Sequence, residues 1–123
     1  PKPAPVKPAV EANPAPTTPA KPALSPFDQS LAKAEALLEK GEARAAVDAF
    51  RQALALNANS VDAQLGLAES LFDIKDYAIA DVEYQKVITQ NPNSVEARRG
   101  RADTLYELNK YDEAVREYEA TLK

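Results

Sequence analysis

The chain has 123 residues, ten prolines, no Cys, His, Met or Trp, and a formal net charge of -4. That length suits one small domain. The missing His and Cys remove the usual ligands of zinc, copper and haem and the commonest general base and nucleophile, and they exclude disulfides.

Charge divides the chain in two, with residues 1–26 at +2 and residues 27–123 at -6. An acidic domain repels phosphate backbones, which argues against nucleic acid as a partner. No stretch approaches the roughly 18 consecutive apolar residues of a membrane span, and no direct membrane contact is expected. No signal peptide is visible, and the first residue is Pro1, not Met, so further sequence is expected upstream.

Nine of the ten prolines fall in residues 1–26, mixed with Ala, Lys and Thr. Proline lacks the donor N–H and fixes φ, so this stretch reads as an extended, disordered or polyproline-like tether. At about 3.1 Å per residue it would reach ~80 Å. Pro5 and Pro8 have the P-x-x-P spacing of ligands for proline-reading domains, but so proline-rich a tract meets that spacing by composition alone. Ser25-Pro26 then signals a helix start: a capping hydroxyl followed by a residue whose missing donor costs nothing there.

From Phe27 onward the sequence repeats every 34 residues. Ala34, Ala68 and Ala102 are in register, as are Leu37, Leu71 and Leu105; Ala46, Ala80 and Ala114; Phe50, Tyr84 and Tyr118; and Leu54, Ile88 and Leu122. The repeats are 27–60, 61–94 and a shortened 95–123. Each reads as two helices. In the second, Leu67, Leu71 and Ile74 recur at helical spacing, and so do Ala80, Tyr84, Val87 and Ile88. Breaks within repeats fall at Lys40-Gly41, Lys75-Asp76 and Asn109-Lys110. Breaks between repeats fall at 57–60 and 91–94, where Asn and Pro favour turns and a Ser can cap the next helix. Gly41, Gly66 and Gly100 stand alone and read as helix-break or close-packing glycines.

This pattern resembles the tetratricopeptide-repeat (TPR) family across residues 27–123. Within each repeat the family's small residues at positions 8 and 20 match Ala34, Ala68, Ala102 and Ala46, Ala80, Ala114. Its aromatic at 24 matches Phe50, Tyr84 and Tyr118, its aromatic at 17 matches Tyr77 and Tyr111, and its proline at 32 matches Pro92. Repeat one departs at two of these, with Ala43 and Ala58. The family's frequent Trp at position 4 is replaced by Ser30, Gln64 and Arg98. The resemblance implies an all-α, right-handed superhelical stack of three helix-turn-helix units. It also implies a scaffold that binds another protein or peptide and is not an enzyme.

In this family the first helix of each repeat lines a concave groove. The matching positions here include three acidic columns: Asp28, Asp62, Glu96; Glu35, Glu69, Asp103; and Glu39, Asp73, Glu107. The first column lies in the first helical turn, where an acid is favoured by the helix dipole. The other two lie too far along the helix for that account. Between them run Leu31, Leu65 and Arg99, and Leu38, Phe72 and Tyr106. The expected groove is an acidic trough with an apolar stripe, suited to a Lys- or Arg-containing partner segment. A basic clamp for acidic chaperone tails is not expected, since Arg99 is the lone basic groove residue. Catalytic residues, cofactors and metal ligands are not expected either: an open, solvated groove offers no dry pocket to raise a carboxylate pKa for acid-base work.

The third repeat ends at Lys123, inside its second helix. Val115, Tyr118 and Leu122 there face the place of a following helix. Stacked repeats normally end in a polar cap. The expectations are that more repeats follow, or that this end face pairs with another copy, giving an oligomerising structural module as the alternative function. The proline-rich spacer and absence of Cys suit the bacterial periplasm or cell envelope, with the cytoplasm also open.

Overall fold

Three serines start three helices. In the computed structural model, which describes residues 23–122, the Oγ atoms of Ser25, Ser60 and Ser94 accept from the backbone N–H of Asp28, Ala63 and Ala97 at 3.0, 3.1 and 3.1 Å. These caps open α1 (Pro26–Glu39), α3 (Val61–Asp73) and α5 (Val95–Glu107). Pro26 occupies the first turn of α1, so the helical unit begins one residue before Phe27. Residues 1–22 of the expected tether lie outside the described residues.

Each of these helices turns directly into its partner: α2 (Ala43–Leu56), α4 (Tyr77–Gln90) and α6 (Tyr111–Ala120). One device serves all three turns. Gly41, Lys75 and Asn109 take positive φ (83°, 68° and 66°) at the same repeat position. The N–H of the following residue reaches back to the carbonyl of Leu37, Leu71 or Leu105 at 2.9, 2.9 and 2.8 Å. This left-handed cap satisfies the end of one helix and makes the next residue the N-cap of its partner. That explains why α2, α4 and α6 start without a side-chain cap.

Consecutive helices pack throughout the described residues, and α3 also touches α1 and α5. No such contact joins α2 to α4 or α4 to α6. The stack is therefore wedge-shaped: close on the α1/α3/α5 side, splayed on the other. The close side forms a concave face.

Alanine sets the tight spacing. Ala34, Ala46, Ala53, Ala63, Ala68, Ala80, Ala97 and Ala102 are fully buried where helices cross. The aromatic column fills the gap between repeats. The Phe50 ring lies over Gly66 and the Tyr84 ring over Gly100, each glycine at position 6 of the next repeat. Phe50 and Tyr84 are 1% and 3% exposed, whereas Tyr118 is 37% exposed. With no strand among the described residues, the architecture is an all-α stack of three helix pairs.

Candidate functional site

The first helices present their acids on the concave face. Glu35 and Glu39 from α1, Asp62 and Glu69 from α3 and Glu96 from α5 line one continuous cavity of about 610 Å³, floored by Leu38 and Leu65. A second cavity of about 340 Å³ adjoins it, sharing Leu38 and Glu69 and adding Phe72, Asp73 and Tyr84. Its edge is stiffened by Phe72, whose ring meets Tyr77 edge-on at 5.3 Å.

Of the residues singled out in the sequence, Glu35, Leu38, Glu39, Leu65, Glu69, Phe72 and Asp73 come together in these two cavities. Leu31 is half-buried against the core. Arg99, Tyr106 and Glu107 are exposed on α5 and line neither cavity. Tyr106 instead meets Tyr111 edge-on at 5.2 Å, and Asp103 accepts a hydrogen bond from the Tyr118 hydroxyl. Asp62 and Glu96 were legible as first-turn acids and also line the groove, while Asp28 is held by the Ser25 hydroxyl at 2.9 Å. Phe50 and Tyr84 also line these cavities, although neither stands among the groove residues expected from the sequence. Their column was visible, but its reach through to the concave face depends on the glycines beneath the rings.

The groove acids repel one another. Burial, then Glu96 and Asp73, push the Glu69 carboxyl above its usual value, and burial does the same to Asp73. No basic side chain among the described residues forms an ion pair with them. The ion pairs among the described residues lie elsewhere: Lys86–Glu83 at 3.3 Å, Arg98–Glu117 at 3.0 Å, Arg101–Asp81 at 2.8 Å and Arg101–Glu117 at 2.7 Å. Of these, Arg101–Asp81 joins repeat two to repeat three, and the others lie within one repeat. Gln64 and Arg98, which replace the family's Trp, bond to Glu83 and Glu117 respectively, each within its own repeat. No helix of the described residues is long and apolar enough to cross a membrane, and their Asp and Glu side chains form no group of three placed to hold a metal.

Three stacked helix pairs with an open groove define a helical-repeat interaction scaffold. The chain belongs to the tetratricopeptide repeat family: residues 31–81 and 83–116 match two of its sequence profiles. Solved structures agree on the fold. The second TPR of Spaghetti (RPAP3), solved bound to the HSP90 peptide SRMEEVD, superposes with a TM-score of 0.74 at 17% identity, covering 78% of this chain and 89% of that one. The Yersinia enterocolitica type III secretion translocator chaperone SycD gives 0.74 at 17% identity, covering 77% and 72%. MamA gives 0.73 at 25% identity over 78% of this chain, which spans 56% of MamA. A search of curated proteins finds no match.

Proposed function

We propose that the chain is a protein-interaction scaffold whose concave groove holds a Lys- or Arg-containing segment of another protein. The observation that carries this reading is the set of five carboxylates around one cavity with no cation among the described residues paired to them, while the ion pairs of those residues sit elsewhere. A basic segment would relieve their mutual repulsion. Leu38, Leu65 and Phe72 would supply apolar contact. The Spaghetti neighbour holds a peptide, SRMEEVD, with three acidic side chains, and the charge here is opposite to what such a peptide needs.

The test is titration with a decapeptide of alternating Lys and Ala, against its Glu/Ala counterpart, over a range of salt. The Lys peptide binds more tightly, and its affinity falls with salt. Changing Glu35, Glu69 and Glu96 to Gln weakens it by about tenfold and flattens the salt dependence. Equal binding of the two peptides, or no effect of the triple change, overturns the reading.

The second reading, self-association through the end of the stack, rests on Val115, Tyr118 and Leu122, which are 53%, 37% and 85% exposed. A strict monomer at high concentration in sedimentation counts against it.

A further inference from the structure

Tyr84 and Tyr118 occupy the same repeat position, and each stands fifteen residues after a groove acid, Glu69 and Asp103 respectively. The Tyr118 hydroxyl donates to Asp103. The Tyr84 hydroxyl, on a residue only 3% exposed, makes no hydrogen bond among the described residues. It is held over Gly100, where a β-carbon would lie 2.6 Å from its oxygen, and Tyr84 is one of the residues lining the cavity of Glu69 and Asp73. A buried hydroxyl without a partner costs on the order of 1–3 kcal/mol, so such groups mark places where a partner is missing. The phenol stays neutral, since burial and then the charges of Glu69, Asp103 and Asp73 all raise its pKa. Its oxygen can therefore accept from an N–H while its O–H donates to a carboxylate.

We propose that the cavity of Leu38, Glu69, Phe72, Asp73 and Tyr84 is a subsite for one cationic side chain of the bound segment. The aliphatic stem lies along Leu38 and Phe72, and the charged head bonds to the Tyr84 oxygen between Glu69 and Asp73. The proposal rests on the reading of the groove as a binder of basic segments and narrows it to one place. The middle repeat alone supplies this combination: Phe50 has no hydroxyl, and that of Tyr118 is already engaged.

The test compares Tyr84→Phe, Tyr118→Phe and wild type against the Lys/Ala decapeptide. Tyr84→Phe keeps the ring on Gly100 and weakens binding by about tenfold, the scale of one hydrogen bond to a charged group, with no drop in melting temperature. Tyr118→Phe changes affinity less than twofold. The double change Glu69→Gln, Asp73→Asn, at exposed positions that do not hold the fold, weakens binding at least as much. Should Tyr84→Phe and that double change leave affinity intact while neutralising Glu35 and Glu96 lowers it, the subsite is overturned and the groove reading stands. Should none of these changes matter, both fall.

Discussion

The ring of Phe50 fills the space that a β-carbon on Gly66 would need. An ideal β-carbon there would lie 2.9 Å from Cδ1 and overlap Cε1 and Cζ outright. Gly to Ala inside a helix ordinarily stabilises by ~1 kcal/mol. Here the sign reverses, because Phe50 is 1% exposed and has nowhere to go. Gly66→Ala is expected to destabilise by about 2–3 kcal/mol, the scale of an overpacked core, and Gly100→Ala to do the same through Tyr84. Urea unfolding of each variant measures both.

The same position in repeat one is Ala32. If a second copy stacked its first repeat onto the third in the register used within the chain, the Ala32 methyl would meet the Tyr118 ring as a β-carbon on Gly66 would meet Phe50. Lys33 would also oppose the exposed Val115. Open-ended head-to-tail polymers are therefore not expected. Sedimentation velocity at rising concentration checks this, and growth beyond a dimer would contradict it.

Arg101 holds Asp81 and Glu117 together across repeats two and three. Burial opposes its charge, yet the hydrogen bonds and charges of the two acids outweigh burial and hold its pKa above the usual value. The equivalent pair between repeats one and two is apolar, with Leu67 and Val47 in the core. Arg101→Ala leaves Asp81 and Glu117, each 8% exposed, short of a partner. The expected loss is about 2–3 kcal/mol, below the usual range for a buried pair because the side chain of Arg101 keeps 23% exposure. Arg101→Leu with Asp81→Val reproduces the upstream solution and leaves Arg98 on Glu117. That double variant is expected to be within about 1 kcal/mol of wild type or more stable. A double-mutant cycle by chemical denaturation separates the two outcomes.

The 34-residue period made the six helices and their turns readable, because each column is fixed by a local requirement: a capping Ser, a small residue at a crossing, an aromatic between repeats. The acidic columns were readable from the same period, although only the first meets a local requirement of the helix. The contribution of Tyr84 to the groove was not. It depends on the ring passing over Gly100 and on the hydroxyl of Tyr84, unlike that of Tyr118, finding no carboxylate, and periodicity treats the two tyrosines as equal. The pairing of Gln64 with Glu83 and Arg98 with Glu117 was hidden likewise, since it joins residues 19 apart whose meeting follows from helix packing.

Lys75 sits at φ 68° where repeat one has Gly41 at 83°. A side chain in this left-handed region costs about 1 kcal/mol relative to glycine. Lys75→Gly is expected to stabilise the chain by up to that amount. Gly41→Ala, where a β-carbon meets nothing within 4 Å, is expected to destabilise by about 1 kcal/mol through backbone conformation alone. Thermal melts of the two variants are expected to move in opposite directions.

Glu69 gives the groove a pH signature. It faces Asp73 on its own helix, Glu96 on α5 and Tyr84 on α4, and shares the larger cavity with Glu35 and Glu39 of α1. Burial first, then Glu96 and Asp73, raise its folded pKa above the value of 4.5 it starts from. A raised carboxyl pKa means the folded state favours the protonated form. Its contribution to stability is fully present below the unfolded value and is lost as pH rises through the folded one. Ionised Glu69 is thus a burden near neutral pH. Glu69→Gln is expected to be more stable than wild type at about pH 7, by no more than ~1 kcal/mol because the site is solvated. The difference is expected to shrink to nothing below about pH 4. Comparing the two proteins at each pH cancels the remaining carboxylates, which titrate in both. A variant less stable than wild type at neutral pH would mean that Glu69 makes favourable contacts outweighing this repulsion. A bound Lys/Ala decapeptide is expected to abolish the difference or reverse its sign, since a cation beside Glu69 favours the ionised form.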